Sequence, residues 1–224
     1  MKREIIQTSD GSTTIQIPEW NEQYHSIHGA IQEAYHVFIK KGLEAIPTHK
    51  TSILEVGFGT GLNSFITFLE AQNNNLFIDY VGVDAYPVSK EEIEKLNYVS
   101  QLNASHSSEI FKTFHACSWD EKHQIAPNFS LLKRKQFFSE IEDEGIFDLI
   151  YFDAFGARVQ PKLWTEEMFI KMFKALKFEG ILVTYSAKGS VRRAMLSAGF
   201  TVERLVGPKG KREMLRARKK PLIL

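Results

Sequence analysis

The stretch Leu54-Glu55-Val56-Gly57-Phe58-Gly59-Thr60-Gly61 constrains this chain more than any other. It joins a short apolar run, residues 52–56, to a segment in which Leu62, Phe65, Ile66 and Leu69 share one helical face. Glycines at alternate positions let the backbone turn sharply and leave room for a bulky ligand to lie against it. Further apolar runs at 78–83, 147–152 and 181–185 read as strands, and Ser89 with Glu92 fits a helix-starting capping box. Residues 164–177 read as a helix with Met168, Met172, Phe173 and Leu176 inward, stopped by Glu179-Gly180, and 191–198 as a shorter one. Residues 201–206 and 213–217 would close the sheet as an antiparallel pair. Strands alternating with helices specify an α/β fold, a mostly parallel sheet covered on both faces. Such sheets bind ligands beyond the carboxyl ends of their strands, where the strand order switches. Ahead of this pattern, residues 5–17 read as two short strands around Asp10-Gly11, and 29–43 as a helix with Ile31, Ala34, Tyr35, Phe38 and Ile39 on one face. The expected organisation is a hairpin-and-helix elaboration over 1–49 and a main domain over 50–224.

Composition narrows the class. With 43% hydrophobic and 25% charged residues in 224, the chain is ordinary globular protein and not a disordered or fibrous one. The single cysteine, Cys117, cannot form an internal disulfide, which suits a reducing compartment. The first residues hold no apolar signal core, and no run is long enough to span a bilayer, so the expectation is a cytoplasmic protein with no membrane partner. Net charge is only +1, yet from Lys188 onward eleven Lys and Arg face two Glu. A basic segment on a mildly acidic body points to a phosphate-rich partner.

The glycine spacing is Gly-x-Gly-x-Gly rather than the Gly-x-Gly-x-x-Gly of dinucleotide-binding folds, and Glu55 precedes it. An acid there suits a ligand with a cationic aminoacyl end better than a pyrophosphate. Asp84, at the end of the next strand, is placed to accept hydrogen bonds from both hydroxyls of a ribose. Asp153 closes the apolar strand 147–152, where a carboxylate must be hydrogen-bonded or open to a cleft. His25 and His28 have no further ligand nearby, so no metal site is expected.

The glycine turn with Glu55 and Asp84 resembles motif I and the acidic loop of the Rossmann-like class I S-adenosylmethionine-dependent methyltransferases. Asp153-Ala-Phe-Gly-Ala-Arg-Val-Gln-Pro161-Lys-Leu-Trp164-Thr165 resembles, more narrowly, the Asp-x-Phe-(x)n-Pro-x-Met-Trp-Thr signature of the methyltransferase part of the MnmC family, which makes 5-methylaminomethyl-2-thiouridine in tRNA. Thr184-Tyr-Ser-Ala187-Lys-Gly189-Ser-Val191-Arg192-Arg193 and Lys211-Arg212-Glu213-Met214-Leu215 are similar to that family's later motifs, as are Asp10-Gly11-Ser12-Thr13 and Tyr24-His25-Ser26-x-x-Gly29-Ala30-x-x-Glu33. The resemblance implies a seven-stranded sheet, S-adenosyl-L-methionine as methyl donor, and neither metal nor flavin. It implies cofactor contacts from Glu55, Gly57, Gly59, Gly61, Asn63 and Asp84, and a catalytic Asp153 that orients an amine and takes its proton. It implies tRNA as the partner, with Tyr24, Arg192, Arg193, Lys211 and Arg212 as substrate contacts. Bifunctional members carry an oxidase domain that this sequence lacks, so a stand-alone enzyme supplied by upstream wobble-uridine modification is expected.

One stretch departs from the pattern. Residues 131–137 hold no acid where the adenine amino group is expected, so Gln136, a backbone carbonyl or a displaced loop would serve there. Two other readings compete. One is an aminopropyltransferase of spermidine-synthase type, and the other a non-catalytic RNA-binding module with a vestigial cofactor pocket.

Overall fold

A computed structural model describes residues 2–220. The chain opens with an antiparallel sheet of β1 (Glu4–Gln7), β2 (Thr13–Ile17) and β3 (Glu22–Gln23), whose first hairpin turns at Gly11 with φ of 85°. Helix α1 (Ala30–Ala34) follows and widens into a π-helical stretch, Tyr35–Lys40, that buries Val37, Phe38 and Ile39. The main alternation comes next. Its first half is β4 (Lys50–Val56), α2 (Leu62–Asn74), β5 (Phe77–Val83), α3 (Lys90–Ile93), α4 (Tyr98–Gln101), α5 (Ser108–Ala116), β6 (Lys122–Ala126) and β7 (Phe129–Arg134). Its second half is β8 (Phe147–Phe152), α6 (Glu166–Ala175), β9 (Leu176–Thr184), α7 (Gly189–Ser197), β10 (Thr201–Val206) and β11 (Glu213–Arg218). The capping box of Ser89 and Glu92 forms, on a helix only four residues long.

The large sheet runs β10-β11-β9-β8-β4-β5-β7-β6. Its centre, β9-β8-β4-β5-β7, is parallel, and both edges are antiparallel. The order switches between β4 and β8, so the end of β4 and the end of β8 open the crevice in which this class of sheet binds ligands. Alternate strand residues face opposite layers. Ile53, Tyr80, Leu131 and Tyr151 pack under α2 and α5 with Phe65, Phe68, Phe111 and Phe114, whereas Leu54, Val56, Ile150 and Phe152 pack under α6 and α7 with Met168, Phe169, Met172 and Met195.

Three features differ from the sequence reading. An eighth strand, β6, pairs antiparallel with β7; it is a half-exposed edge of mixed composition and leaves no clean alternation to read. Helix α6 ends at Ala175 instead of running through Lys177, because Leu176 is fully buried and pairs with Phe147 in the sheet. Glu179-Gly180 therefore sits inside β9, with Glu179 at φ 62°, near the register shift against β8. The expected single helix over 29–43 is α-helical only from Ala30 to Ala34.

Phe114 is fully buried and stacks on Phe129 with ring centres 5.6 Å apart. Its replacement by alanine is expected to lower unfolding free energy by about 3–5 kcal/mol, read by urea denaturation, while leaving the crevice intact.

Candidate active site

The crevice is built around a close approach of two strand ends. Gly57, at φ 102°, lies so near β8 that a Cβ there would stand 2.7 Å from the carbonyl oxygen of Asp153. Its amide and that of Phe58 donate to the carbonyl of Val83, which ties the turn to the end of β5. Gly59 is crowded from the other side, by the ring of Tyr24. Together they line a cavity of about 540 Å³ whose wall includes Arg3, Tyr24, His25, Asp84, Tyr86, Phe137, Asp153 and Phe155.

Behind this wall lies a carboxylate pair joined by one amide. Nδ2 of Asn63, in the first turn of α2, donates to Oε1 of Glu55 at 2.9 Å and to Oδ2 of Asp153 at 2.8 Å. Glu55 is fully buried, and burial holds its carboxyl well above the ordinary range. Burial, helped by the negative charge of Glu33, pushes Asp153 up to about 7. Oε2 of Glu55 and Oδ1 of Asn63 are buried without a hydrogen-bond partner in this layer.

Asp84 stands across the cavity. Its Oδ2 accepts from the amide of Gly59 at 2.9 Å and its Oδ1 from the amide of Tyr86 at 2.8 Å, which fixes the carboxylate while leaving lone pairs on both oxygens. Burial raises its pKa, and the guanidinium of Arg3 works against that. Tyr24 meets Phe155 edge-on at 4.9 Å with Arg3 5.7 Å above its ring, and burial pushes its phenol up to about 12, so it stays neutral. His25 is buried and shares a 2.8 Å hydrogen bond with Thr60; burial drops it to about 4, so it too is uncharged at neutral pH.

Of the residues picked from sequence, Gly57, Gly59, Asp84, Asp153 and Tyr24 line one cavity. Glu55 and Asn63 lie one layer behind and reach it through Asp153. Gly61 faces away: at φ 70° it starts α2, and a Cβ there would meet His115. Gln136, expected to serve adenine, is not on the wall. Phe137, Phe138 and Ser139 are, and exposed Phe137 pairs edge-on with exposed Tyr86 at the rim. Arg3, Tyr86, Phe137 and Phe155 escaped the sequence reading; the one signal for Tyr86 was its place just past Asp84.

The basic segment is less open than its composition suggests. Arg204 pairs with Glu213, Arg216 with Glu203, Arg218 with Glu179 and Lys211 with Glu33. Arg193 and Arg212 are exposed, whereas Arg192 is half-buried with an unpartnered Nε. A second cavity of about 650 Å³ is lined by Tyr185, Ser186, Lys188, Arg204, Lys211 and Arg212, among others.

The sequence model of the S-adenosyl-L-methionine-dependent methyltransferases matches residues 94–220. The chain belongs to that family. Among curated proteins it is similar to the tRNA 5-methylaminomethyl-2-thiouridine biosynthesis bifunctional proteins MnmC of Leptospira borgpetersenii and Aeromonas hydrophila. Identity is 29% over 88% of this chain and 32% of the first, and 26% over 91% and 34% for the second. The chain thus spans about a third of the length of these relatives. In fold it is similar to MnmC2 from Aquifex aeolicus, with a TM-score of 0.74 and 23% identity over 98% of this chain and 72% of that one. A spermidine synthase from Thermotoga maritima shares the fold at a TM-score of 0.57 and 14% identity, over 97% and 69%.

The residues of this methyltransferase fit S-adenosylmethionine. A glycine cradle with no room for side chains, the fixed carboxylate of Asp84 just past β5 and the Asp153 carboxyl on the same wall match a ligand that carries a ribose and two cationic centres. Replacing Asp84 by alanine removes a charge-assisted acceptor and frees Gly59; S-adenosylmethionine affinity is expected to fall at least about tenfold by isothermal titration.

Proposed function

We propose that this methyltransferase transfers a methyl group to the primary amine of 5-aminomethyluridine, 2-thiolated or not, at the wobble position of tRNA, giving the 5-methylaminomethyl form. The observation that carries the reading is the Asp153 carboxylate, half-exposed on the cavity wall and held by Asn63 beside the glycine turn. The names of the curated relatives, which specify this product in tRNA, support the substrate class.

S-adenosylmethionine, when bound, supplies a methyl group on a sulfonium that needs no further activation. The chain's own work is alignment and proton handling. Asn63 fixes one carboxylate oxygen of Asp153 and leaves the other for the acceptor. An aminomethyl group hydrogen-bonded there is oriented and gives up its proton to the carboxylate. The neutral His25 and Tyr24 shape the site without competing for that proton, and the apolar face of Phe155 narrows the approach. Exposed Lys188 and Arg212 would hold RNA phosphates at the second cavity, with exposed Arg193 on α7. Earlier modification of the same uridine would deliver the amine.

Nucleoside mass spectrometry after incubation of the protein with S-adenosylmethionine and tRNA bearing wobble 5-aminomethyluridine tests the reading. A product heavier by one methylene supports it. Cofactor binding without conversion would leave a methyltransferase of another substrate, and aminopropyl transfer from decarboxylated S-adenosylmethionine to a polyamine would favour the spermidine-synthase type.

Asp153→Asn is expected to keep cofactor affinity within a few-fold and to cut kcat by about a hundredfold or more. In the wild-type protein the carboxylate is the active form, so kcat is expected to rise with pH through about 7 and level off above it. A flat profile there would remove Asp153 from proton transfer. The double variant Lys188→Ala/Arg212→Ala is expected to weaken tRNA binding about tenfold and to lower the slope of log K against log salt by between about one and two.

A further inference from the structure

Lys211, in the turn between β10 and β11, reaches inward. Its ammonium pairs with the carboxylate of Glu33 on α1 and stands 4.0 Å from the centre of the Tyr185 ring. Glu33 is only 7% exposed, and its other oxygen accepts from the amide of Ser26 at 3.1 Å. The hydroxyl of Tyr185 donates to the carbonyl of Ala154 at 2.9 Å, the residue next to Asp153. An ion pair is therefore clamped between the N-terminal helix, the C-terminal hairpin and the end of β9, one residue removed from the proton-accepting carboxylate. Tyr185 and Lys211 also line the second cavity, so the clamp stands between that cavity and Asp153.

The polar and charged surroundings of Asp153 come from several elements. α2 supplies Asn63, β4 the buried Glu55, α1 Glu33, the β10–β11 turn Lys211 and the end of β9 Tyr185. Across the cavity stand Asp84, Tyr24 and His25, and Glu22 lies beside Gly156, held by Arg158. Most of this ring is acidic or neutral. Arg3 on the cavity wall and Arg158 on Glu22 are also cations of this ring, and Lys211 is the one that acts on Asp153.

We propose that the Glu33–Lys211 ion pair is a positioning element that sets whether Asp153 is free to take a proton: Lys211 favours the carboxylate, Glu33 favours the carboxylic acid, and Tyr185, beneath Lys211 and hydrogen-bonded to Ala154, ties the pair to the Asp153 segment. The proposal rests on the reading of Asp153 as proton acceptor for an amine. The arrangement balances two opposed needs. The carboxyl must be basic enough to accept a proton, toward which burial and then Glu33 push it, and yet ionise near neutrality, toward which Asn63 and Lys211 pull it.

Lys211→Gln and Glu33→Gln each break the same ion pair, so a purely structural tie loses the same bond in both. Their electrostatic effects have opposite signs. Lys211→Gln removes a cation and frees an anion, and the acid limb of kcat is expected to move up by about one pH unit. Glu33→Gln does the reverse and is expected to move it down by a similar amount, while Lys211→Arg keeps the wild-type profile. The same displacements are expected in the 13C carboxyl resonance of Asp153 in the cofactor-free protein, identified by its loss in Asp153→Asn. That titration needs no turnover, so it decides the proposal even if the tRNA substrate proves wrong. Shifts in one common direction, or an unmoved resonance with equal losses in Tm, would reduce the pair to a structural tie and overturn the proposal.

Discussion

One amide nitrogen holds two carboxyl groups, one buried and one on the cavity wall. Nδ2 of Asn63 donates to both Glu55 and Asp153, and the fully buried Glu55 would be costly without such a partner. The bond fixes the first turn of α2 at hydrogen-bond distance from the ends of β4 and β8 together. That placement is possible only because Gly61 starts the helix from a left-handed conformation and Gly57 has no side chain to strike the Asp153 carbonyl. The two strand ends, the glycine turn and the helix form one wedge, and the cavity is the space that the wedge leaves open.

Charge is sorted around that wedge. Asp84 and Asp153 stand on the cavity wall, with Glu55 one layer behind them, an arrangement of carboxyl groups suited to hydrogen-bond donors and cationic groups of a ligand. The exposed cations Lys188 and Arg212 line the second cavity, and Arg193 is exposed on α7. Tyr185 and Lys211 stand between the two regions. Under the proposed function, a methyl donor and an RNA backbone would occupy these neighbouring regions without competing for them.

How far the site could be read from sequence follows from how local each signal is. Asp84 and Asp153 were legible because each ends an apolar strand, and strand ends face the ligand in this class of sheet. Gly61 was read as a ligand contact because spacing cannot tell a glycine that cradles a ligand from one that starts a helix. Composition counts the charge of Lys211 but cannot show its partner, Glu33. The end of α6 was missed because Leu176 carries the apolar character of a helix face and of a buried strand alike, and burial against Phe147 decides for the strand. The edge strand β6 was missed because a half-exposed strand has no strict alternation to reveal it.

The sequence alone determined the alternation of strands and helices, the sharp turn after β4 and the acids at the ends of β5 and β8. Those features depend on residue periodicity and turn chemistry within a dozen positions. Only the tertiary structure decided which charges meet. Glu33 and Lys211 are 178 residues apart, and Glu22 and Arg158 are 136 apart. Tyr24 comes to rest on Gly59 only once the N-terminal sheet has packed over the crevice. Such contacts depend on strand order and on which side chains the core excludes from water, and no local pattern encodes either.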